Sequence, residues 1–135
     1  RILRADIIQD CGNSLNENID IGQIEGGFIQ GLGWLTCEEL CFSQEGKLLT
    51  TGPSTYKLPG SRDVPPIFNV KLLENADNDE KTIFRSKAVG EPPLLLAISH
   101  FLALKEAIKA SLPSSKAELL NSPATPSEIL KAIYA

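Results

Sequence analysis

The stretch "DIGQIEGGFIQGLGWL", residues 20–35, decides how the rest of the chain is interpreted. Its apolar side chains recur at the period of an α-helix and form one stripe, made of Ile21, Ile24, Phe28, Leu32 and Leu35. This spacing predicts a helix with one buried face. Asp20 is followed three residues later by Gln23, which favours a capping-box start at Asp20.

Glycines interrupt this predicted helix at positions Gly22, Gly26, Gly27, Gly31 and Gly33. Each glycine in a helix interior costs about 1 kcal/mol relative to alanine, so a compensating gain is needed. The usual gain is close approach of the backbone to another segment or to a ligand. Gln23 and Gln30 share one face of the helix and could donate amide hydrogen bonds from it. For Gln23, a plain role in the capping box remains the alternative.

The segments around this helix predict an α+β fold. We expect antiparallel strands and hairpins, two main helices and a short C-terminal helix, all in a single domain over residues 1–135. Strands are expected at residues 1–10, 36–42, 47–51, 67–74 and 81–87, with the second and third forming a hairpin. Thr125 and Pro126 should begin the last helix. The Pro-rich residues 51–66 predict a long loop that is functional or pinned against something.

The bulk composition limits the possible partners and compartments. Thirteen basic and 17 acidic side chains give a net charge of −4, which offers no support for a nucleic-acid or membrane-surface partner. No apolar run is long enough for a membrane span, and no signal peptide is recognisable. The odd cysteine count, Cys11, Cys37 and Cys41, argues against a disulfide framework and favours the reducing cytoplasm. Because the chain contains no methionine, we expect it to be a piece of a longer polypeptide.

A second stretch, "SKAVGEPPLLLAISHFLALKEAI" at residues 86–108, places Glu91 directly before two prolines. Prolines are tolerated only in the first turn of a helix, so a helix is expected from Pro92 to about Ser111. Its first two turns are nearly all apolar, which predicts a buried helix. Glu91 could simply complement the helix dipole. Alternatively, it is a rigid, partly desolvated carboxylate of the kind that serves as a general base.

Other chemical signals are weak. Cys37, Cys41 and His100 do not make a credible zinc or iron–sulfur set, so no metal ligands are predicted. No nucleophile elbow is recognisable, and "GGFIQGLG" lacks the lysine of a phosphate-binding loop.

Three motifs occur in order: "GQIEGGFIQGLGWLTCEEL", "GPSTYKLP" and "FRSKAVGEPPLLLAIS". Together they resemble the C-terminal part of the molybdenum-binding domain in the xanthine oxidase/aldehyde oxidase family. The two prolines after Glu91 look more like the xanthine dehydrogenases within it. The resemblance implies that Glu91 is the catalytic base, that Gln23 contacts the pterin cofactor, and that Gly90 lies beside the metal centre.

The resemblance also implies a reaction. Glu91 would take a proton from a molybdenum-bound hydroxyl group, which attacks hypoxanthine or xanthine on the way to urate while a hydride passes to a sulfido ligand. The cofactor would be molybdenum-molybdopterin, with 2Fe-2S and FAD centres in other segments or subunits. The implied partners are the purine substrate, the remainder of the molybdenum-binding subunit, and the iron–sulfur and flavin parts.

Two alternatives stay open. The whole enzyme could oxidise aldehydes or other heterocycles, or the piece could be a non-catalytic structural domain in isolation. Alone, it is expected to lack activity and molybdenum, because half of the cofactor pocket is missing. Surfaces that normally pack on the rest of the subunit would then be exposed and could support self-association.

Overall fold

Helix α1, Glu17–Thr36, confirms the helix predicted from the apolar stripe. The structure, a computed structural model, describes residues 1–134. The helix begins three residues earlier than predicted, because the Asn16 side-chain oxygen accepts the Ile19 N–H at 3.2 Å and caps it. Asp20 instead accepts the Ser14 hydroxyl at 2.5 Å. The capping-box start at Asp20 is therefore wrong.

The sheet within residues 1–134 has two strands, β1 at Arg4–Gln9 and β2 at Ile67–Leu72. They pair in parallel, with a register running from Arg4 opposite Ile67 to Gln9 opposite Leu72. The predicted fold of antiparallel strands and hairpins is therefore wrong. A parallel pair requires a long crossover connection, and here that connection contains α1.

The predicted hairpin at residues 36–42 and 47–51 contains the expected turn but no ladder. Ser43 N–H donates to the Lys47 carbonyl at 2.9 Å, and Gly46 takes the positive φ of +79° that the turn requires. The flanking residues form one isolated antiparallel bridge, Phe42 opposite Leu48. Phe42 is 59% exposed, so the two segments have no buried face to stabilise further pairing.

The predicted strand at residues 81–87 is also absent. Ile83–Arg85 forms a short 3₁₀ helix instead, in which Phe84 and Arg85 have φ values of +49° and +59°. Side chains compete for the backbone here: the Thr82 hydroxyl donates to the Ser86 carbonyl at 2.7 Å. The local hydrogen bonds therefore replace an extended ladder.

A helical segment begins at Pro92, as the two prolines predict, but it opens as a 3₁₀ helix, Pro92–Ala97. Helix α2 follows at Ile98–Lys109. Pro93 and Ala97 are buried, yet Leu95 is 65% exposed, so the prediction of burial all round is wrong for this chain. Helix α3 occupies Pro126–Tyr134, with the Thr125 hydroxyl accepting the Glu128 N–H at 3.4 Å.

The described chain forms two compact units. The first comprises Arg1–Gly31 and Ser61–Ala97, and its core includes the contact between Phe28 and Phe68, whose ring centroids lie 5.5 Å apart. Its buried apolar side chains include Ile7, Cys11, Ile24, Phe28 and Ala97.

The second unit comprises Leu32–Gly60 and the segment from Ile98 to the last described residue. Its core joins α2, α3 and the short 3₁₀ helix Ala117–Leu119 through Ile108, Ala117, Leu120, Ala124 and Ala132. The Pro-rich loop is pinned here, as predicted: the Tyr56 hydroxyl donates to Glu38 at 2.6 Å, and the Pro59 ring packs against Gly33.

Candidate functional site

Two glycines of α1 hold the segment that carries Glu91. A Cβ at Gly27 would lie 3.1 Å from the Pro93 Cβ and 3.4 Å from the Gly90 carbonyl oxygen. A Cβ at Gly31 would meet the Leu94 carbonyl oxygen and lie 2.9 Å from the Ala97 Cβ. Close backbone approach, predicted from the glycine content, is thus confirmed at these two positions.

Two other glycines of α1 face open space. Neither Gly22 nor Gly26 has any atom within 4 Å of a Cβ built on it. Gln23 lies between them and is exposed. Among residues 1–134, no side-chain hydrogen bond engages its amide, so its donors and its acceptor are available to a ligand. The glycine flank on this face leaves room for a bulky group.

Gln23 and Gly90 line one cavity of about 320 Å³. The remaining walls come from Cys11, Leu15, Asp20, Ser86, Lys87 and Val89. The structure therefore brings together two of the three residues singled out from the sequence. The cavity lies between the second turn of α1 and the loop that precedes the 3₁₀ helix Pro92–Ala97.

Glu91 follows Gly90 in the chain but is not part of the cavity wall. Its side chain is exposed, and its carbonyl oxygen accepts the Leu94 N–H at 3.0 Å, which starts the 3₁₀ turn. Partial desolvation of this carboxylate, expected from the sequence, is absent in the described chain. The backbone after Glu91 is nevertheless held in place, because Gly27 and Gly31 of α1 pack against Pro93, Leu94 and Ala97.

Sequence reasoning missed an ion pair beside the cavity. Lys87 Nζ lies 2.6 Å from Asp10 Oδ2, and the Gly12 N–H donates to Asp10 Oδ1 at 2.9 Å. The hydrogen bond from Lys87, followed by that from Gly12, holds the pKa of the Asp10 carboxyl below its ordinary value. The sequence did contain two signals for this ion pair: Lys87 inside the motif "SKAVGE", and Asp10 at the end of a predicted strand.

Two titratable groups are affected by burial. Cys11 is 1% exposed, and burial raises the pKa of its thiol. Burial lowers the pKa of His100 in α2. Across residues 1–134 no three His, Cys, Asp or Glu side chains are grouped so that they could hold a metal ion. In the same range, no helix has the length and apolar character that crossing a membrane requires.

Several known proteins are similar to this chain in sequence or in fold. A family model described as "Molybdopterin cofactor-binding domain" matches residues 1–65. Xanthine dehydrogenase/oxidase from Felis catus is 54% identical over 96% of this chain, which spans 10% of that protein. Xanthine dehydrogenase from Dictyostelium discoideum is 55% identical over 81% of this chain and 8% of its own length. The chain thus spans about a tenth of the curated relatives it matches.

Solved structures share the fold. Quinoline 2-oxidoreductase from Pseudomonas putida 86 matches with a TM-score of 0.77 at 28% identity, over 93% of this chain and 15% of that one. A Cu,Mo-CO dehydrogenase matches with a TM-score of 0.76 at 18% identity, over 98% of this chain and 16% of that one, which shows the fold alone.

The fold and these matches define the chain as a part of a molybdopterin cofactor-binding domain. Its sequence is about half identical to xanthine dehydrogenases over nearly its whole length. The chain belongs to the xanthine dehydrogenase family.

Proposed function

We propose that the chain supplies the catalytic base, Glu91, to a molybdenum hydroxylase that oxidises hypoxanthine and xanthine to urate. The observation that carries the proposal is the packing of Gly27 and Gly31 of α1 against the 3₁₀ helix Pro92–Ala97, which directly follows Glu91. This packing fixes the backbone immediately after Glu91, while Gln23 and Gly90 line one cavity immediately before it. A general base must be held rigidly within hydrogen-bond reach of the proton that it removes.

The residues present fit a bulky cofactor on the open face of α1. Gln23 offers an amide with both donor and acceptor capacity, and Gly22 and Gly26 leave the space around it clear. Gly90 is exposed and has no atom within 4 Å of a built Cβ. When bound, molybdenum-molybdopterin supplies the oxidising centre. Gln23 would hold it by hydrogen bonding, and Gly90 would allow it to approach the backbone.

In this proposal, Glu91 performs proton transfer only. Its carboxylate accepts a proton as the carbon–oxygen bond to the purine forms, and it returns that proton to solvent before the next turnover. In the whole enzyme, the remainder of the molybdenum-binding subunit would cover the carboxylate and exclude bulk water while the proton is transferred.

The proposed partners are the remainder of the molybdenum-binding subunit and the segments or subunits that carry 2Fe-2S and FAD. Electrons would leave through those centres. We also propose that the enzyme works in the cytoplasm, where thiols such as Cys11, Cys37 and Cys41 stay reduced. Elemental analysis should find no stoichiometric molybdenum in the isolated 135-residue chain, and assays should find no xanthine oxidation by it.

The experiment that tests Glu91 uses the full-length enzyme containing this chain. Glu91→Gln and Glu91→Ala should both abolish xanthine turnover while leaving the molybdenum content near that of the wild type. The matched control is Glu106→Gln, which removes an exposed carboxylate paired with Lys109 on α2 and should leave turnover unchanged. Substantial residual turnover in the Glu91 variants would overturn the assignment.

A second candidate substrate class is favoured by the match to quinoline 2-oxidoreductase, whose name gives a different heterocycle. The full-length enzyme should reduce NAD with xanthine and not with aldehydes or quinoline. A higher kcat/KM with quinoline or with an aldehyde than with xanthine would favour this alternative over purine oxidation.

A further inference from the structure

The loop that leads into Glu91 is tied to the connector after β1 by a charged contact. Lys87, four residues before Glu91, places its Nζ 2.6 Å from Asp10 Oδ2. The other oxygen of Asp10 accepts the Gly12 N–H at 2.9 Å. One oxygen of the Asp10 carboxylate therefore contacts the connector after β1, and the other contacts the loop that precedes Glu91.

Backbone contacts tighten the same junction. The Lys87 N–H donates to the Cys11 carbonyl at 2.8 Å, and the Asn13 N–H donates to the Arg85 carbonyl at 3.1 Å. Gly12 lies opposite Ser86 in an isolated antiparallel bridge and has a φ of +61°. A Cβ at Gly12 would lie 3.0 Å from the Lys87 backbone nitrogen, so the connector after β1 and the loop before Glu91 are in close backbone contact.

The loop is also held in an unfavourable backbone conformation. Phe84 and Arg85 both have positive φ values, which cost energy in residues with a side chain and persist only when the surroundings enforce them. The enforcing contacts come from Asn78, which donates to the Ser86 carbonyl at 3.1 Å and accepts Arg85 Nη1 on its own carbonyl at 2.9 Å. Such strain commonly occurs where a loop must present a group in one position.

We propose that Asp10 and Lys87 are positioning residues that fix the loop carrying Glu91 relative to the Gln23–Gly90 cavity. The inference rests on the proposed function, in which Glu91 is the base. Lys87 lines that cavity together with Gly90. Its ion pair with Asp10 links the loop that precedes Glu91 to the connector that follows β1. Loosening it would let Glu91 shift without removing any group that reacts.

The test uses the full-length enzyme with the variants Lys87→Gln, Asp10→Asn, both together, and Lys87→Arg. Misplacing a catalytic group by about 1 Å costs on the order of 100-fold in rate, so we expect a fall in kcat between about 10-fold and 100-fold for each single variant. KM should stay within about twofold, because the reacting groups and the substrate contacts remain. The double variant should be no worse than either single variant, and Lys87→Arg should retain most of the activity.

The matched control is Lys131→Gln, which breaks an ion pair of the same 2.6 Å length on α3 and should leave kcat unchanged. Molybdenum content and melting temperature are measured on every variant. A loss of kcat that only follows a loss of molybdenum or of the folded state would overturn the positioning role in favour of a structural one.

Two further outcomes would overturn it. Loss of activity in Lys87→Gln with normal activity in Asp10→Asn would show that Lys87 acts directly on a ligand. Wild-type kcat in both single variants, with Glu91→Gln inactive, would refute the positioning role and leave the base assignment intact. An active Glu91→Gln would instead refute the proposed function itself.

Discussion

The backbone of Gly31 in α1 packs against the carbonyl group of Leu94, and the contact leaves no room for a methyl group at position 31. This contact places the second half of the glycine-rich motif directly on the "EPPLLLA" segment. The two sequence motifs that carry the family resemblance are therefore also in physical contact.

Gly31→Ala should destabilise the chain, because a Cβ would meet the Leu94 carbonyl and would lie 2.9 Å from the Ala97 Cβ. Overpacking of this kind costs about 1–3 kcal/mol. Gly22→Ala is the matched control: nothing lies within 4 Å of its Cβ, so the helix should gain roughly 0.5–1 kcal/mol. Urea unfolding followed by far-ultraviolet circular dichroism measures both, and equal effects would contradict the packing described.

The Asp10 carboxylate should make the free energy of unfolding fall at acidic pH. Its pKa in the folded chain lies below the ordinary value of 3.8, mainly through Lys87. The stabilisation is therefore complete above about pH 5 and is lost as the pH falls through the folded-state pKa. Asp10→Asn should be less stable than the wild type at pH 7, and the difference should shrink below pH 3.8. Asp79→Asn, which removes an exposed carboxylate, is the matched control and should leave the stability at pH 7 near that of the wild type.

The Tyr56–Glu38 hydrogen bond should be sensitive to alkali. Glu38 is 9% exposed and accepts the Tyr56 hydroxyl at 2.6 Å, which raises the pKa of Tyr56 above its ordinary value of 10.0. Its stabilisation is present below pH 10.0 and is lost as the pH rises through the folded-state pKa. Tyr56→Phe should unfold at lower urea concentration at pH 7, whereas Tyr134→Phe, at a side chain 75% exposed, should not. A difference in stability between Tyr56→Phe and the wild type that stays constant as the pH rises well above 10.0 would contradict this account.

Thiol labelling should distinguish the cysteines. Cys41 is exposed, whereas Cys11 is 1% exposed and has a thiol pKa raised first by burial. Because the thiolate is the reactive form, Cys41 should react with iodoacetamide well before Cys11 in the folded chain. Mass spectrometry of peptides after timed quenching measures both rates, and urea should make the two rates similar. Fast modification of Cys11 without urea would contradict its burial.

Local patterns predicted the helices and the positions of β1 and β2, but not how these two strands pair. The apolar stripe of α1 and the Thr125–Pro126 start of α3 are signals contained within one or two turns, and both helices are present. The start of α1 was missed although Asn16 is a preferred capping residue, because Asp20 offered a competing motif. The parallel pairing of β1 and β2 depends on residues far apart, which no local pattern encodes.

In the candidate site, too, local sequence patterns predicted some features, whereas features that depend on distant residues were missed. Glycine content predicted close packing of α1, and the structure confirms it at Gly27 and Gly31. The contribution of Asp10 and Lys87 could not be predicted, because it needs a loop whose Phe84 and Arg85 adopt positive φ values without being glycines. The exposure of Glu91 also differs from expectation, because the apolar run that follows it predicts a buried segment but not which of its side chains face solvent.

The parallel pairing of β1 and β2 also has a consequence for biosynthesis. Arg4 pairs with Ile67, so more than 60 residues must leave the ribosome before the first strand finds its partner. Helix α1 forms from neighbouring residues and can fold in the meantime, whereas closure of so long a loop is slow. Until then, both edges of β1 stay unpaired, and unpaired strand edges in a partly folded chain are prone to aggregation.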